Sequence, residues 1–125
     1  GVAAALRAGA AGVQIGTAYL ATPESLIAPP FRILLGTPAA ADACFTNLFS
    51  GRAARGIVNR LMRSLGAMRD EAPLFPYASS ALAPLRTHAE AAGRSDYSPL
   101  WAGAGAARVT QMHAEQLTRE LARET

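Results

Sequence analysis

The sequence predicts an α/β fold with one β/α unit at its start and a mostly helical region after it. Residues 1–10 are rich in alanine, the best helix former, and Gly9 is suited to end that helix. Residues 12–16 (GVQIG) alternate two β-branched residues with a glutamine between glycines, which indicates a short strand. Residues 17–21 then predict one or two helical turns, which Thr22-Pro23 end. Helix, tight turn and short strand in this order are typical of half a parallel β/α unit.

The remainder of the chain predicts mostly helices, with at most one more strand. We expect a helix from Pro29-Pro30, then a strand at 44–49 and a turn at Ser50-Gly51-Arg52. An amphipathic helix should follow, with Ile57, Leu61, Met62, Leu65 and Met68 on its apolar face. The last expected elements are a helix at 79–92, a glycine-bearing loop at 98–105 and a helix at 109–123. Pro84 fits the helix at 79–92 only near its first turn, because proline inside a helix removes a backbone donor. One strand cannot satisfy the hydrogen bonds of a parallel sheet by itself, so we expect further strands from elsewhere.

Composition narrows the function classes. The chain has 125 residues, a formal net charge of +3 and a single cysteine, Cys44. One cysteine excludes an internal disulfide framework and a cysteine-built zinc site, and favours a reducing, cytoplasmic location. No apolar run approaches the roughly 20 residues that cross a bilayer.

Every basic residue is an arginine, and these are scattered among acids, so we expect neither a membrane nor a nucleic-acid partner. The chain opens inside a predicted helix without Met, so we expect it to be part of a longer protein.

The turn after the first strand carries the clearest chemical signal. A strand that ends in Gly16-Thr17 and passes straight into a helix presents free backbone amides, and the glycine permits close approach of a ligand. The Thr17 hydroxyl adds a donor, and the helix dipole favours an anion. In β/α barrels a phosphate commonly binds after the seventh and eighth strands, beside a short extra helix. Residues 17–21 would form such a helix, so the sequence predicts a phosphate site, with an ordinary β/α turn as the alternative.

Three segments, in order, resemble one enzyme family. Residues 1–25 (GVAAALRAGAAGVQIGTAYLATPES) resemble the last β/α unit of the nitronate monooxygenases, also called the 2-nitropropane dioxygenase family. Residues 49–62 (FSGRAARGIVNRLM) resemble the family's Phe-Ser-Gly-Arg-x-Ala-Arg-Gly stretch. Residues 97–106 (YSPLWAGAGA) resemble its Leu-Trp-Ala-Gly-Gln-Gly stretch. The resemblance therefore covers nearly the whole chain.

The resemblance implies that this chain is the C-terminal portion of an FMN-binding TIM (β/α) barrel. On that basis residues 1–36 are the last β/α unit, and residues 37–125 are a mostly helical region that packs on the barrel. The family's Gln-x-Gly-Thr stretch wraps the FMN phosphate, which assigns cofactor binding to Gln14, Ile15, Gly16 and Thr17. The family's catalytic His lies upstream, so we expect no catalytic residue in this chain. Ala104 stands where the family often has Gln, which removes a donor and an acceptor from the pocket.

The implied reaction is the oxidative denitrification of alkyl nitronates with O₂, which gives a carbonyl product and nitrite. Two alternatives stay open. A flavin-dependent enoyl-thioester (enoyl-ACP) reductase shares the Gly-Val-Gln-x-Gly-Thr pattern and would require NAD(P)H. A non-catalytic helical interaction module would lack a barrel altogether. The run at 21–25 (ATPES), joined to the later segments, favours nitronate oxidation.

Other candidate residues favour structural interpretations. His113 shares a helical row with apolar residues, and we expect a packed or edge histidine, whereas His88 is expected on a solvated face. The arginines at 52, 55, 60, 63 and 69 form a basic stripe that favours a solvated helix face, with Arg52 or Arg55 pairing a carboxylate elsewhere. Cys44 is expected as a small buried residue, and Trp101 as a core anchor or a pocket wall. Ser50 and Ser98 have no His–Asp partners, so a hydrolase triad is not supported.

Overall fold

The computed structural model describes residues 1–123 as short helices packed around a two-stranded antiparallel sheet. The helices are α1 (Val2–Arg7), α2 (Thr17–Leu20), α3 (Pro29–Leu34), α4 (Arg60–Leu65), α5 (Tyr77–Ala91) and α6 (Ala114–Arg123). The strands are β1 (Ala43–Thr46) and β2 (Ala54–Ile57), and Pro38–Ala41 and Ala106–Arg108 form 3₁₀ turns. No helix in the described part of the chain combines the length and apolar character that a membrane span needs.

The sheet is extended on the free edge of β2 by the loop that carries Trp101. The amide of Ile57 donates to the Leu100 carbonyl at 2.9 Å, and the amide of Ala102 donates to the Arg55 carbonyl at 3.1 Å. Gly56 permits this approach, because a Cβ at that position would lie 3.1 Å from the Leu100 oxygen. The family-like stretches at 49–62 and 97–106 are therefore hydrogen-bonded neighbours.

Two apolar clusters lie on opposite faces of this sheet. Side chains alternate between faces along a strand, so Leu100 and Ala102 point to one cluster and Trp101 to the other. The first cluster comprises Ala21, Phe31, Leu35, Ala40, Ile57, Leu100, Ala102 and Ala106. The second comprises Leu48, Phe49, Leu61 and Met62, with Cys44, Trp101 and other half-buried side chains packed against it. The first cluster joins α2 and α3 to the sheet, and so positions the turn that precedes α2.

The helix after β2 is shorter than its apolar pattern predicts. We expected an amphipathic helix that included Ile57, but Ile57 lies in β2 and α4 begins at Arg60. Asn59 caps α4: its Oδ1 accepts from the Met62 amide at 3.3 Å, and its Nδ2 donates to the Ser98 carbonyl at 2.9 Å. A buried asparagine with both ends bonded fixes the helix start and ties α4 to the loop at 98–105.

The strand predicted at 12–16 is not formed, so this part of the prediction was wrong. Residues 11–16 are irregular, and Val13 is 43% exposed. Within residues 1–123, no backbone amide from 11 to 18 donates to an acceptor. A β-strand needs a neighbouring strand for its hydrogen bonds. Strand β1 pairs with β2, and β2 also pairs with the Trp101 segment, but neither strand pairs with residues 12–16.

Two helix predictions need correction. Pro84 lies in the interior of α5 rather than in its first turn, because the helix begins at Tyr77 and not at Ser79. The last helix begins at Ala114, so the predicted segment at 109–113 is irregular and follows a 3₁₀ turn instead. Leu117 is the buried residue of α6.

Candidate functional site

The turn predicted to bind phosphate is open and rich in free donors. Gly16 precedes α2, with Thr17 as the first residue of that helix. The amides of Gly16, Thr17 and Ala18 donate to no acceptor within residues 1–123. A Cβ at Gly16 would find no atom within 4 Å, so the backbone there is open to a ligand. Because α2 has only four residues, the amides themselves supply the attraction, and the expected helix dipole adds little.

The Thr17 hydroxyl connects this turn to the Trp101 loop. Its Oγ1 accepts from the Gly103 amide at 2.9 Å, although the two residues are far apart in sequence. A hydroxyl that accepts one hydrogen bond retains its own proton for donation to another group. The contact therefore fixes the Thr17 side chain while leaving its donor free. It also brings the Gly-Thr turn next to the loop at 98–105.

The segment that follows the turn contacts α6 and the residue before it through Tyr19 and Glu24. The Tyr19 hydroxyl lies 2.7 Å from Thr118 Oγ1. Both carboxylate oxygens of Glu24 accept from the Ala114 amide at 3.2 Å, and His113 Nδ1 lies 3.1 Å from Glu24 Oε1. Backbone amides, first of all that of Glu24 itself, hold the pKa of this carboxyl below its ordinary value. Desolvation opposes that shift, and the contact with His113 reinforces it.

Two of the predicted cofactor residues line a cleft that also contains an arginine. The cleft has a volume of about 610 Å³, and Gln14 and Ile15 form part of its wall together with Arg108 and Glu120. Arg108 is exposed and makes no ion pair within residues 1–123. Sequence analysis did not single out Arg108, because a lone arginine after a glycine-bearing loop has no spacing pattern that distinguishes it from a solvated side chain.

The donors at this turn fit a phosphate group. Three backbone amides and one hydroxyl supply neutral donors, and Arg108 supplies a positive charge in the adjoining cleft. Such a set matches the acceptor oxygens of a phosphomonoester. Among the described residues, no group of three His, Cys, Asp or Glu side chains could hold a metal ion.

The histidines do not form a catalytic centre in the described chain. His88 is exposed on α5, as expected. His113 is also exposed and pairs with Glu24, so the expectation that it packs in an apolar helical row was wrong. The reason is the late start of α6, which leaves His113 just outside the helix.

The arginine stripe forms local surface contacts. Arg63 pairs with Asp42 at 2.8 Å, and Arg69 pairs with Glu71 at 3.1 Å. Arg52 packs over the Phe75 ring, 4.3 Å from its centroid, and not on a carboxylate. These contacts support the solvated interpretation. For Arg55, whose buried Nε has no partner among the described residues, pairing with a carboxylate elsewhere stays a prediction.

Trp101 takes both of its predicted roles. Its ring packs edge-on against Phe49, with centroids 5.7 Å apart. It also borders a second cavity of about 370 Å³, whose wall includes Leu20 and Phe31.

Cys44 is half-buried against the second apolar cluster, so it is less enclosed than expected. Ser98 donates to Glu90 Oε1 at 2.7 Å.

Comparison with known proteins identifies the family. The family model described as nitronate monooxygenase matches residues 1–124. A nitronate monooxygenase of Pseudomonas aeruginosa is 39% identical over 125 residues, which cover 99% of this chain and 36% of that protein. A probable nitronate monooxygenase of Bacillus subtilis is 37% identical, with the same coverage of each chain.

A solved structure confirms the fold class. A chain from the crystal structures of nitroalkane oxidase from Streptomyces ansochromogenes matches with a TM-score of 0.88 and 40% identity. The match covers 98% of this chain and 35% of that chain, so the fold described above corresponds to about a third of that solved chain. The chain spans about a third of the length of the relatives that it matches. Since the family model accounts for nearly every residue, the chain belongs to the nitronate monooxygenase family.

Proposed function

We propose that this chain is the C-terminal part of an FMN-dependent nitronate monooxygenase that acts on alkyl nitronates and O₂. Family membership over residues 1–124 supports the reaction class. The observation that carries the proposal is the turn at Gly16-Thr17, whose unpaired amides and fixed hydroxyl match the phosphate of FMN. The single cysteine is consistent with a cytoplasmic enzyme.

In this proposal the chain binds and orients the cofactor. Bound FMN supplies the redox chemistry that amino-acid side chains lack. The amides of Gly16 and Thr17 and the Thr17 hydroxyl would donate to the phosphate oxygens, and Gln14 and Ile15 line the adjoining cleft. Gly103 keeps the Thr17 hydroxyl in place by donating to its oxygen. Holding the phosphate would anchor one end of the cofactor in the site.

The catalytic base is proposed to lie outside this chain. His88 is exposed on α5, away from the turn, and His113 is engaged by Glu24 on the surface. A general base must lie within hydrogen-bond reach of the proton that it removes. Neither histidine lines the cleft that contains Gln14 and Ile15.

The test is the visible absorption spectrum of the complete purified enzyme. We expect bound flavin that an alkyl nitronate bleaches under anaerobic conditions without NAD(P)H, and nitrite after O₂ is admitted. Bleaching by NAD(P)H alone would indicate an enoyl-thioester reductase instead. A colourless protein that cannot be reconstituted with FMN would overturn both assignments and favour a non-catalytic interaction module.

A further inference from the structure

We propose that Arg108 recognises the phosphate charge of the bound flavin and sets the preference of the site for FMN over uncharged riboflavin. This inference rests on the proposed function and deepens it. The donors at the Gly16-Thr17 turn are all neutral, whereas a phosphomonoester is an anion at neutral pH. A neutral donor set binds such an anion less well than one that includes a guanidinium group, which offers a fixed positive charge and paired donors.

The chain places Arg108 beside the turn through a short, well-anchored segment. Gly103, at one end of this segment, donates to Thr17 Oγ1 at 2.9 Å. Ala106, in its middle, is completely buried, and its carbonyl accepts from the Gly36 amide at 2.9 Å. Arg108 ends the 3₁₀ turn that follows, and its side chain lines the cleft together with Gln14 and Ile15. The segment is therefore fixed at two points, and these fix the base of the arginine side chain.

The guanidinium group of Arg108 is available for an anion. Arg63, Arg69 and Arg119 each form an ion pair with a nearby carboxylate. Arg108 forms none within residues 1–123. The acid that shares its cleft, Glu120, accepts from Gln116 Nε2 at 2.9 Å and makes no ion pair with Arg108.

The guanidinium group of Arg108 lies beside Gly105. A Cβ at Gly105 would lie 3.5 Å from Arg108 Nη2, which is an ordinary van der Waals distance. The Arg108 side chain is exposed and lines the cleft, so its guanidinium is accessible to an anion that enters there. Arg108 therefore lines the cleft with a positive charge that no described carboxylate pairs, and it can bind an anion there.

The experiment compares FMN with riboflavin, which lacks only the phosphate. Flavin-depleted complete enzyme is titrated with each, and binding is followed by quenching of flavin fluorescence. The variants are Arg108→Met and Arg108→Gln, with Arg119→Met as the control. Arg119 is exposed and pairs with Glu115 on the outer face of α6, so its substitution removes the same charge elsewhere. Far-UV circular dichroism checks whether each variant is folded. The test is the ratio of FMN affinity to riboflavin affinity, measured in whichever Arg108 variant folds and compared with the wild type.

We expect Arg108→Met to weaken FMN binding by about tenfold to a hundredfold, the range for hydrogen bonds to charged groups. Riboflavin affinity should not change, and Arg119→Met should change neither affinity. An equal loss for both flavins would show that Arg108 is merely structural, and an unchanged FMN affinity would show that it does not contact the phosphate. Either result overturns this inference while the proposed function stands. If the wild-type enzyme binds neither flavin, the proposed function itself fails.

Discussion

The turn before α2 and the sheet around β2 differ in how their backbones are satisfied. Along the turn, amides from residue 11 to 18 have no acceptor within the described chain, and most of the residues are exposed or half-buried. Around β2, backbone bonds run to β1 on one side and to the segment 100–102 on the other, with apolar clusters on both faces. The sheet region therefore has its backbone hydrogen bonds satisfied within the described chain, whereas the turn has not, and the proposed function assigns the donors of the turn to the FMN phosphate.

The largest difference between the two regions should be the loss of unfolding free energy when a side chain is truncated. Leu100 is 2% exposed and contributes to the first apolar cluster, so Leu100→Ala should lower the free energy of unfolding by about 2–5 kcal/mol. Val13, at the start of the turn, is 43% exposed, and Val13→Ala should cost less than about 1 kcal/mol. Urea unfolding curves of the two variants provide the comparison. Equal losses would mean that the turn contributes to the core as much as the sheet does.

Glycine substitution should affect stability in one region and ligand binding in the other. Gly51 has φ +83°, and a Cβ there would overlap backbone atoms of Pro73, Leu74 and Phe75, so Gly51→Ala should cost about 1–3 kcal/mol. Gly16 has φ −109° and open space around it, so Gly16→Ala should leave stability nearly unchanged. We expect it to weaken FMN binding by about tenfold, because the new methyl group obstructs the backbone.

These two substitutions are checked by unfolding in urea and by FMN titration of the same preparations. The proposed phosphate site would be contradicted if Gly16→Ala bound FMN like the wild type. A loss of stability at Gly16 as large as that at Gly51 would instead show that the turn is constrained by packing and not by a ligand.

Local patterns predicted the elements whose partners lie close in sequence. The start of α3 at Pro29-Pro30 follows from the fixed φ of proline, and the turn at Gly51 follows from glycine's tolerance of positive φ. The Glu115–Arg119 pair follows from helical spacing alone, and its atoms lie 2.6 Å apart. The family was predicted from three ordered segments and is confirmed.

Features that depend on distant partners could not be predicted. Ile57 fits an amphipathic helix by spacing, but pairing of its amide with Leu100 places it in a strand. The strand at 12–16 has the right composition, yet no described neighbour completes its hydrogen bonds. The contact between Thr17 and Gly103 joins opposite ends of the chain, and no sequence spacing encodes it. The assignment of Gln14 to Thr17 to FMN stays a prediction.

Removing the Thr17 hydroxyl should have a moderate and specific effect. Thr17→Val keeps the shape of the side chain but removes both the acceptor for Gly103 and the free donor. We expect FMN affinity to fall by about twofold to tenfold, the value of one net hydrogen bond. Thr17→Ser retains the hydroxyl and should restore most of that affinity in the same fluorescence titration. If Thr17→Ser binds FMN no better than Thr17→Val, the hydroxyl alone does not account for the contribution of Thr17.

The contact between Glu24 and α6 should produce the smallest effect, seen as a dependence on pH. The pKa of Glu24 is lowered in the folded state, so its contribution to stability is fully present above the ordinary carboxyl pKa and is lost as the pH falls through the lowered pKa. Glu24→Gln keeps the size of the side chain but cannot titrate. Urea unfolding over a series of acidic pH values should therefore show a steeper loss of stability for the wild type than for the variant. Parallel profiles would show that ionisation of Glu24 does not stabilise the folded state.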